Sequence, residues 1–322
     1  MFTLRELEAA AELVHREVPP TLSVDWPLLS EAVGAEVWVK HENHNPTGAF
    51  KVRGGVTFVD WLRRARPDCR GICTATRGNH GQSQARAAVA AGLVAKIYVP
   101  FGNSVEKNAA MRAYGADLIE FGEDFDTARE EAFRVADLEG LQVVPPFHRE
   151  LVRGVATYAL EFFRDAPELD AVYVPIGCGS GICGVIAARD ALGLRTEVIG
   201  VVSDGADHVL RSVREGRLVE NDTARTFADG IAVRVPVREA FDIYAEGAAR
   251  VVAVSDDDVA EAIRLFYRGT HNLAEGAGAA GLAALMGERE RMRGQRVGVI
   301  LSGGNIDTDV FARVLAGQTP GA

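Results

Sequence analysis

Lys51 stands between a Pro/Gly turn and two further glycines in the segment NPTGAFKVRGG, residues 45–55. Its neighbours Phe50 and Val52 are apolar, so its long charged side chain is either a solvated turn residue or an amine held in a pocket. An amine in a pocket can form a Schiff base with a carbonyl compound and can move protons. Lys51 is therefore the first candidate for a catalytic residue.

Three glycine-rich segments are candidates for binding an anion through backbone N–H groups: TRGNHGQS (76–83), PIGCGSGICG (175–184) and LSGGNID (301–307). Each lies between a β-rich run and a helix-like run. Glycine allows the backbone to approach an anion, and a helix N-terminus carries about half a positive charge. Because the strand-to-helix loops of a parallel sheet meet at one edge, these segments are expected to line one site.

The glycine spacing within residues 177–184 leaves other interpretations open. A GxGxGxxG pattern also fits a nucleotide fingerprint, and simple turns without a ligand have the same composition. The pattern lies in mid-chain and the next strand ends in Ser203-Asp204, which gives an NAD site little support. No GK[ST] follows the glycines, so an ATP P-loop is excluded.

β-Rich and helix-like runs alternate along the whole chain, which predicts an α/β fold with mostly parallel sheets. Strands are expected at residues 35–42, 71–76, 95–100, 116–121, 171–176, 196–202, 249–254 and 296–301. Helices are expected at residues 81–93, 105–115, 126–140 and 255–269. A chain of 322 residues exceeds what one core usually sustains, so two lobes that share an interwoven chain are predicted.

Composition excludes several classes of protein. The net charge of -10 opposes a sequence-independent nucleic-acid binder. Acidic residues in the first 20 positions oppose a secretory signal, and no apolar run approaches the ~18 residues of a membrane span. Few cysteines are present and they lack histidine partners, so reduced thiols in the cytoplasm are expected rather than a zinc site. These cysteines are Cys69, Cys73, Cys178 and Cys183.

Lys51 and the glycine-rich segments together resemble the motifs of one family. KHENHNPTGAFKVRGG is similar to the lysine motif of the fold-type II pyridoxal-phosphate enzymes, which include threonine and serine dehydratases, serine racemase and cysteine synthases. TRGNHGQ, PIGCGSG, ADGIAVR and LSGGNID resemble further motifs of that family, in the family's order, over residues 40–307. The resemblance implies a fold like that of the tryptophan synthase β subunit. That fold has two lobes, each a mostly parallel twisted sheet with helices on both faces.

The resemblance also implies a role for each motif. Lys51 would hold pyridoxal 5'-phosphate as a Schiff base and move the substrate Cα proton, with the Phe50 ring against the cofactor. Ser302 would face the pyridine nitrogen, and Asn79 would donate to the ring oxygen. The cofactor phosphate would bind Gly177, Cys178, Gly179, Ser180 and Gly181. The substrate carboxylate would bind the loop formed by Thr76, Arg77, Gly78, Asn79 and His80, where His80 is preferred as a helix-start residue bonding nearby backbone rather than as an acid or base.

Within the family, KVRGG resembles the KxRGA of dehydratases and of the racemase more than the KDRG of synthases, and ADGIAVR is typical of dehydratases. The expected reaction is α,β-elimination from a β-hydroxy-L-amino acid of the threonine, serine, 3-hydroxyaspartate or phenylserine type, giving a 2-oxo acid and ammonia. The hydroxyl of Ser302 is a weak partner for the pyridine nitrogen, which suits elimination better than transamination.

Arg77 stands where the racemase has a small hydroxyl that acts as its second base. Arginine stays protonated and is a poor base, so efficient racemisation is not expected. If its guanidinium points inward, Arg77 could pair with a second carboxylate or stack on an aromatic ring; if outward, it is a surface ion-pair residue. The alternative functions are a serine or aspartate racemase, a β-replacement synthase and, more remotely, a non-catalytic metabolite-binding relative.

The family's divalent-cation site uses two acidic residues, and Val202 and His208 stand at those positions here, so no metal ligands are expected. The resemblance implies a large cofactor-binding domain from residues 1–55 and 149–322 and a small mobile domain from residues 56–148. No C-terminal regulatory domain is expected. A cytoplasmic homodimer is expected that acts on a small amino acid and has no nucleic-acid or membrane partner.

Overall fold

The computed structural model describes residues 1–321, which form two sheets covered by helices. The strands are β1 (Ser23–Asp25), β2 (Glu36–His41), β3 (Gly71–Ala75), β4 (Val94–Val99), β5 (Asp117–Glu120), β6 (Gln142–Val143), β7 (Ala171–Pro175), β8 (Glu197–Ser203), β9 (Arg250–Val254) and β10 (Arg296–Leu301). The helices are α1 (Leu4–Val14), α2 (Pro27–Val33), α3 (Lys51–Ala65), α4 (Asn79–Ala90), α5 (Val105–Ala113), α6 (Phe125–Glu139), α7 (Arg149–Asp165), α8 (Ser180–Ala191), α9 (His208–Glu215), α10 (Arg238–Gly247), α11 (Asp256–Thr270), α12 (Gly276–Gly287), α13 (Arg289–Met292) and α14 (Thr308–Leu315).

The larger sheet has six strands in the order β1-β2-β10-β7-β8-β9. Only its edge strand β1 is antiparallel to its neighbour. In the centre of the sheet, Val299 of β10 pairs with Val39 of β2 on one side and with Tyr173 of β7 on the other. These strands are buried on both faces, which explains why they read as continuous apolar runs in the sequence.

The smaller sheet has four parallel strands in the order β5-β4-β3-β6. Every strand and helix expected from the sequence is present, and the predicted α/β class with mostly parallel sheets is confirmed. Strands β1 and β6 were not predicted. They span three and two residues, which is too short for a run of β-branched or alternating residues to indicate a strand.

Helices cover both faces of the larger sheet. Tyr173 packs into a core with Phe266 of α11 and Leu282 of α12, whereas its neighbour Val172 packs with Phe162 of α7 and Ile182 of α8 on the opposite face. This alternation follows from the period of two in a strand. Helix α12 is apolar around its whole circumference and is buried, as such helices are.

Helix α3 packs between the bodies of the two sheets, against α4 on one side and α7 on the other. It runs without a break through residues 55 and 56, where the sequence placed a domain boundary. The second predicted boundary coincides with the first residue of α7, Arg149. The division into a large and a small mobile domain stays a prediction. None of the helices within residues 1–321 is long and apolar enough to cross a membrane.

Candidate active site

The segments that follow β2 and β10 hold the start of α3 in place. Ala49 forms an isolated antiparallel bridge with Gly303, and the Phe50 N–H donates to the Ser302 carbonyl at 3.0 Å. Lys51 is the first residue of α3. The lysine therefore stands beside the carboxyl end of the central strand β10, next to one of the glycine-rich segments.

The groups that contact the Lys51 amine are a hydroxyl and an aromatic ring. Its Nζ lies 3.5 Å from the Ser180 hydroxyl and 5.1 Å from the centre of the Phe50 ring. Burial lowers the pKa of the Lys51 amine, against the opposing effects of Cys178 and Glu275. Among the residues that the structure describes, no carboxylate lies within 4.0 Å of this amine. Loss of hydration without an ion pair favours the uncharged amine, which is the form that acts as nucleophile and base.

Arg53, one half-turn after Lys51, anchors the same helix to the large sheet. Its guanidinium donates to both carboxylate oxygens of Glu42 and of Glu161 over 2.5 to 3.0 Å. Glu161 also pairs with Lys40 at 2.7 Å. Burial alone would raise the pKa of Glu161, but Arg53 and Lys40 lower it to about 2. Two cations and two carboxylates thus form a buried network, which fixes α3 and with it Lys51.

Residues Gly177 to Gly181 form a tight turn between β7 and α8. Gly179 is the N-cap of α8 with φ 95°, in the left-handed region. A Cβ on Gly177 would lie 2.2 Å from the Gly230 carbonyl oxygen, whereas a Cβ on Gly181 would meet nothing closer than 3.7 Å. The first contact requires glycine, and the second shows that space remains above the helix N-terminus. Its unpaired N–H groups make this a suitable cradle for phosphate.

We expect Gly179→Ala to weaken binding of pyridoxal phosphate by roughly 10-fold, because a non-glycine residue in the left-handed region costs about 1–2 kcal/mol. The added Cβ would also lie 2.6 Å from the Ala240 Cβ. Gly193→Ala is the matched control, since Gly193 has φ 67° beyond the other end of α8 and open space around it. A spectrophotometric cofactor titration measures both. Equal affinity of Gly179→Ala and wild type would contradict the assignment of this loop.

The loop from Thr76 to His80 connects β3 to α4 and faces the larger sheet. The Gly78 N–H donates to the Thr76 hydroxyl at 3.1 Å, and Asn79 begins the helix. The Asn79 side chain hydrogen bonds with Glu275 and with Asn305, each at 2.7 Å. These bonds join the segments after β3 and β10. The structure therefore brings together the glycine-rich segments that the sequence predicted to line one site.

His80 is enclosed beside this loop. Its Nε2 is buried and has no hydrogen-bond partner among the described residues. Burial, together with the nearby Lys51, lowers the pKa of His80 to about 3, so the imidazole is neutral near pH 7. Its Nε2 is thus a polar atom in need of a partner beside the proposed cofactor space. The helix-start role stays a prediction, although α4 does begin at the preceding residue.

Arg77 is the exposed member of the loop. It lines a polar cleft of about 260 Å³ together with Ser104, Glu123, Asp229 and Asp307. Lys107 of α5 lies beside the same loop. It pairs with Asp229 at 2.5 Å, and its Cδ lies 3.0 Å from where a Cβ on Gly78 would be. The Arg77 side chain is thus exposed in a cleft that also holds acidic side chains.

Ser302 is buried at the end of β10. Within residues 1–321 its carbonyl is engaged by Phe50, while its hydroxyl has no hydrogen bond to the protein. Cys178 is partly exposed, and loss of hydration raises the pKa of its thiol, so it is neutral. Within the part of the chain that the structure describes, all four cysteines are free and no cluster of three His, Cys, Asp or Glu side chains could hold a metal.

Sequence reasoning missed four polar side chains of the site: Glu275, Lys107, Asp229 and Asn305. Asp229 and Asn305 lie inside the segments ADGIAVR and LSGGNID, so a polar residue within each motif was a usable signal. Lys107 is one charged residue of an ordinary helix. Glu275 precedes the apolar helix α12 and resembles any helix-start carboxylate, so no sequence pattern distinguished it.

A half-buried lysine without an ion pair, facing a glycine cradle and a free hydroxyl, defines an enzyme site for a carbonyl cofactor bearing a phosphate. Residues 14–303 match the family described as pyridoxal-phosphate dependent enzyme, and the chain belongs to that family. Its cofactor is pyridoxal phosphate. The residues present fit this group, with the Lys51 amine for the aldehyde, residues 177–181 for the phosphate and the Ser302 hydroxyl for the pyridine nitrogen.

The curated relatives and solved structures that the chain is similar to include ammonia-lyases and racemases. It is 34% identical to the L-threonine ammonia-lyase of Thermotoga maritima, over 98% of this chain and 78% of that protein. It is 30% identical to the serine racemase of Schizosaccharomyces pombe, over 98% of this chain and 97% of that protein. The processed form of threonine deaminase isoform 2 from Solanum lycopersicum superposes with a TM-score of 0.90 at 29% identity, over 98% of this chain and 94% of that chain.

Proposed function

We propose that this protein is a pyridoxal-phosphate-dependent dehydratase that converts a β-hydroxy-L-amino acid to a 2-oxo acid and ammonia. The observation that carries the proposal is the half-buried Lys51 amine, which has no carboxylate in contact and lies 3.5 Å from the Ser180 hydroxyl at the glycine cradle. The similarity to a threonine ammonia-lyase and to a threonine deaminase makes L-threonine the first substrate to test.

The chain's own residues account for the steps at the substrate. The loop Thr76–His80 binds the substrate carboxylate at the start of α4, where free N–H groups and the helix dipole favour an anion. When bound, pyridoxal phosphate supplies an electron-withdrawing ring that acidifies the Cα–H bond. Lys51 accepts the Cα proton, and its ammonium group hands that proton on to the β-hydroxyl group, which departs as water, so that no net proton is gained or lost. The resulting enamine tautomerises to an imine, which hydrolyses to the 2-oxo acid and ammonia.

Ser302 favours elimination among the reactions open to the family. A hydroxyl is a weaker partner for a pyridine nitrogen than a carboxylate, because it carries no negative charge that would hold a proton on the ring. A pyridine ring that holds less negative charge favours departure of a group from the β-carbon over reactions in which the charge must stay in the ring. The Ser302 hydroxyl has no competing protein partner among residues 1–321, so it is free for this contact.

A racemase is the second candidate, since a serine racemase is among the similar proteins. Racemisation needs a group that can give a proton to the face opposite Lys51. Arg77 is exposed and always protonated, and the neutral His80 has a pKa of about 3. Neither is a proton donor matched to neutral pH, which favours the lyase.

The direct test is release of 2-oxo acid from a panel of L-threonine, L-serine, threo- and erythro-3-hydroxyaspartate and phenylserine, with D-serine formation measured in parallel. Turnover of one or two of these β-hydroxy amino acids would establish the dehydratase and name its substrate. D-serine formation faster than 2-oxo acid release would establish the racemase. A cofactor-loaded protein that is silent on the whole panel would exclude hydroxide as the leaving group.

Arg77→Ala tests whether the guanidinium selects the substrate. We expect changes in kcat/KM of less than about 5-fold for both L-threonine and 3-hydroxyaspartate, because exposed charges contribute at most about 1 kcal/mol. The carboxylates of Glu123, Asp229 and Asp307 in the same cleft also oppose a dianionic substrate. Arg112→Ala, which removes another exposed arginine, is the control. A selective 10-fold loss with 3-hydroxyaspartate would show that Arg77 binds a second carboxylate.

Three further properties are proposed on the same basis: cytoplasmic location, assembly as a homodimer, and movement of residues 56–148 relative to the remainder. The movement of residues 56–148 is supported by the polar contacts that α5 and the residue before it make with the remainder. The Lys107–Asp229 and Ser104–Asp307 pairs, at 2.5 and 2.7 Å, are polar and can be exchanged for water at little cost. Light scattering of the purified protein tests the homodimer.

A further inference from the structure

Glu275 is the N-cap residue of α12, yet its side chain makes no capping hydrogen bond to its own helix. Its Oε1 instead accepts from the Asn79 Nδ2 at 2.7 Å, across the gap between the bodies of the two sheets. The Glu275 N–H donates to the Gly303 carbonyl at 3.1 Å, which holds the backbone beside the segment that follows β10. The carboxylate therefore bonds Asn79 at the candidate cofactor site and does not cap α12.

The Asn79 amide is held from both ends. Its Oδ1 accepts from the Asn305 Nδ2 at 2.7 Å, and that Nδ2 also donates to the Thr47 carbonyl at 2.8 Å. A primary amide has one carbonyl oxygen and two N–H donors. With the oxygen taken by Asn305 and one N–H taken by Glu275, one N–H remains for a ligand. A flipped amide would place N–H against N–H at Asn305 and oxygen against carboxylate at Glu275.

We propose that Glu275 is a positioning residue that fixes the orientation of Asn79, so that its remaining N–H, and not its oxygen, is presented to the ring oxygen of the cofactor. The proposal rests on the proposed function, because it takes Asn79 to be the donor to that oxygen. An acceptor atom in place of this N–H would repel the ring oxygen of the cofactor. The orientation set by Glu275 is therefore expected to strengthen cofactor binding and to influence the absorbance of the bound cofactor.

The charges around Glu275 match this role. Burial raises the pKa of Glu275 to about 7, against Lys107 and the hydrogen bond from Asn79, which lower it. Lys107 comes from α5, Asp229 from the segment before α10, and Lys51 from α3. A carboxyl oxygen accepts from Asn79 in either protonation state. The orientation of the amide therefore does not depend on the charge, and an uncharged acceptor of the same shape should replace the carboxylate.

The test measures the dissociation constant and the absorbance spectrum of pyridoxal phosphate bound to the full chain without substrate. Glu275→Leu should raise the dissociation constant by about 10-fold (about 1.4 kcal/mol) and shift the absorbance band. Glu275→Gln keeps a carbonyl oxygen and should stay within about 3-fold of wild type with an unshifted band. Glu288→Gln is the matched control, because Glu288 lies at the other end of α12 and bonds Tyr173 and Arg250.

A double-mutant cycle separates positioning from a general structural role. In an Asn79→Ala background, Glu275→Leu should change the dissociation constant by less than about 2-fold, since the group on which it acts is gone. Additive effects, or an unshifted band in Glu275→Leu, would overturn the proposal. A wild-type protein that does not bind the cofactor at all would instead overturn the proposed function, so the two failures are distinguishable.

Discussion

Lys51→Ala is expected to abolish covalent attachment of pyridoxal phosphate and to lower 2-oxo acid release by at least about 10³-fold, the scale of a lost acid-base group. Lys51 is the amine at the glycine cradle, and burial lowers its pKa, which favours the uncharged form that acts as nucleophile and base. Alanine supplies neither function. Borohydride reduction followed by mass spectrometry reports the attachment, and the 2-oxo acid assay reports turnover.

Lys96→Ala is the control for this prediction. Lys96 lies on β4 and pairs with Glu139 at 2.6 Å, away from the cofactor site. It should keep full attachment and turnover. A Lys51→Ala protein that still carries the cofactor covalently would show that another lysine holds it and would remove the basis of the proposed mechanism.

Arg53→Met is expected to lower the free energy of unfolding by about 3–5 kcal/mol, because it leaves Glu42 and Glu161 buried with too little compensating charge. Arg53 is fully buried, and although burial lowers its pKa, Glu42 and Glu161 raise it above the usual value for arginine. Urea unfolding measures the difference. Because Arg53 anchors the helix that begins with Lys51, cofactor affinity should also fall.

Arg64→Met is the matched control on the same helix. Arg64 pairs with Asp60 at 2.7 Å, but its side chain is 65% exposed, so the pair should contribute less than about 1 kcal/mol.

The pH dependence of stability gives a second check on the buried network of Arg53. The pKa of Glu161 is lowered from 4.5 to about 2, so its stabilisation is present above about pH 4.5 and is lost as the pH falls through 2. The loss of unfolding free energy caused by Arg53→Met should therefore be smaller in acid. A loss no larger than that caused by Arg64→Met would show that the buried network contributes little to stability.

Lys40 and Lys51 show how the same residue type serves two purposes in one fold. Lys40 is buried in β2 and donates to Glu161 at 2.7 Å and to the Thr21 carbonyl at 2.8 Å. The charge of Lys40 therefore stabilises the fold. Lys51 has only the Ser180 hydroxyl at 3.5 Å as a hydrogen-bond partner within residues 1–321. An amine that loses hydration with no carboxylate in contact is harder to charge, and this favours its reactive, uncharged form.

The sequence by itself determined the class of fold and supplied candidates for the central site residues. Apolar runs that alternate with helix-like runs predict the strands of a parallel sheet, and a glycine-rich loop between a strand and a helix is a candidate for binding an anion. Lys51 and residues 177–181 could be proposed from such segments, and the role of Ser302 from the resemblance of LSGGNID to a family motif, because each lies inside a short segment of the chain. A motif made of neighbouring residues can be seen in the sequence without knowledge of the fold.

Only the tertiary structure decided which distant side chains complete the site. Glu275 meets Asn79 over a separation of 196 residues, and Lys107 meets Asp229 over 122. The sequence left the direction of Arg77 open; in the structure its side chain is exposed and lines the polar cleft together with Asp229 and Asp307. Such contacts depend on how two sheets are placed against each other. That placement is set by the summed packing of many residues, and no single motif encodes it.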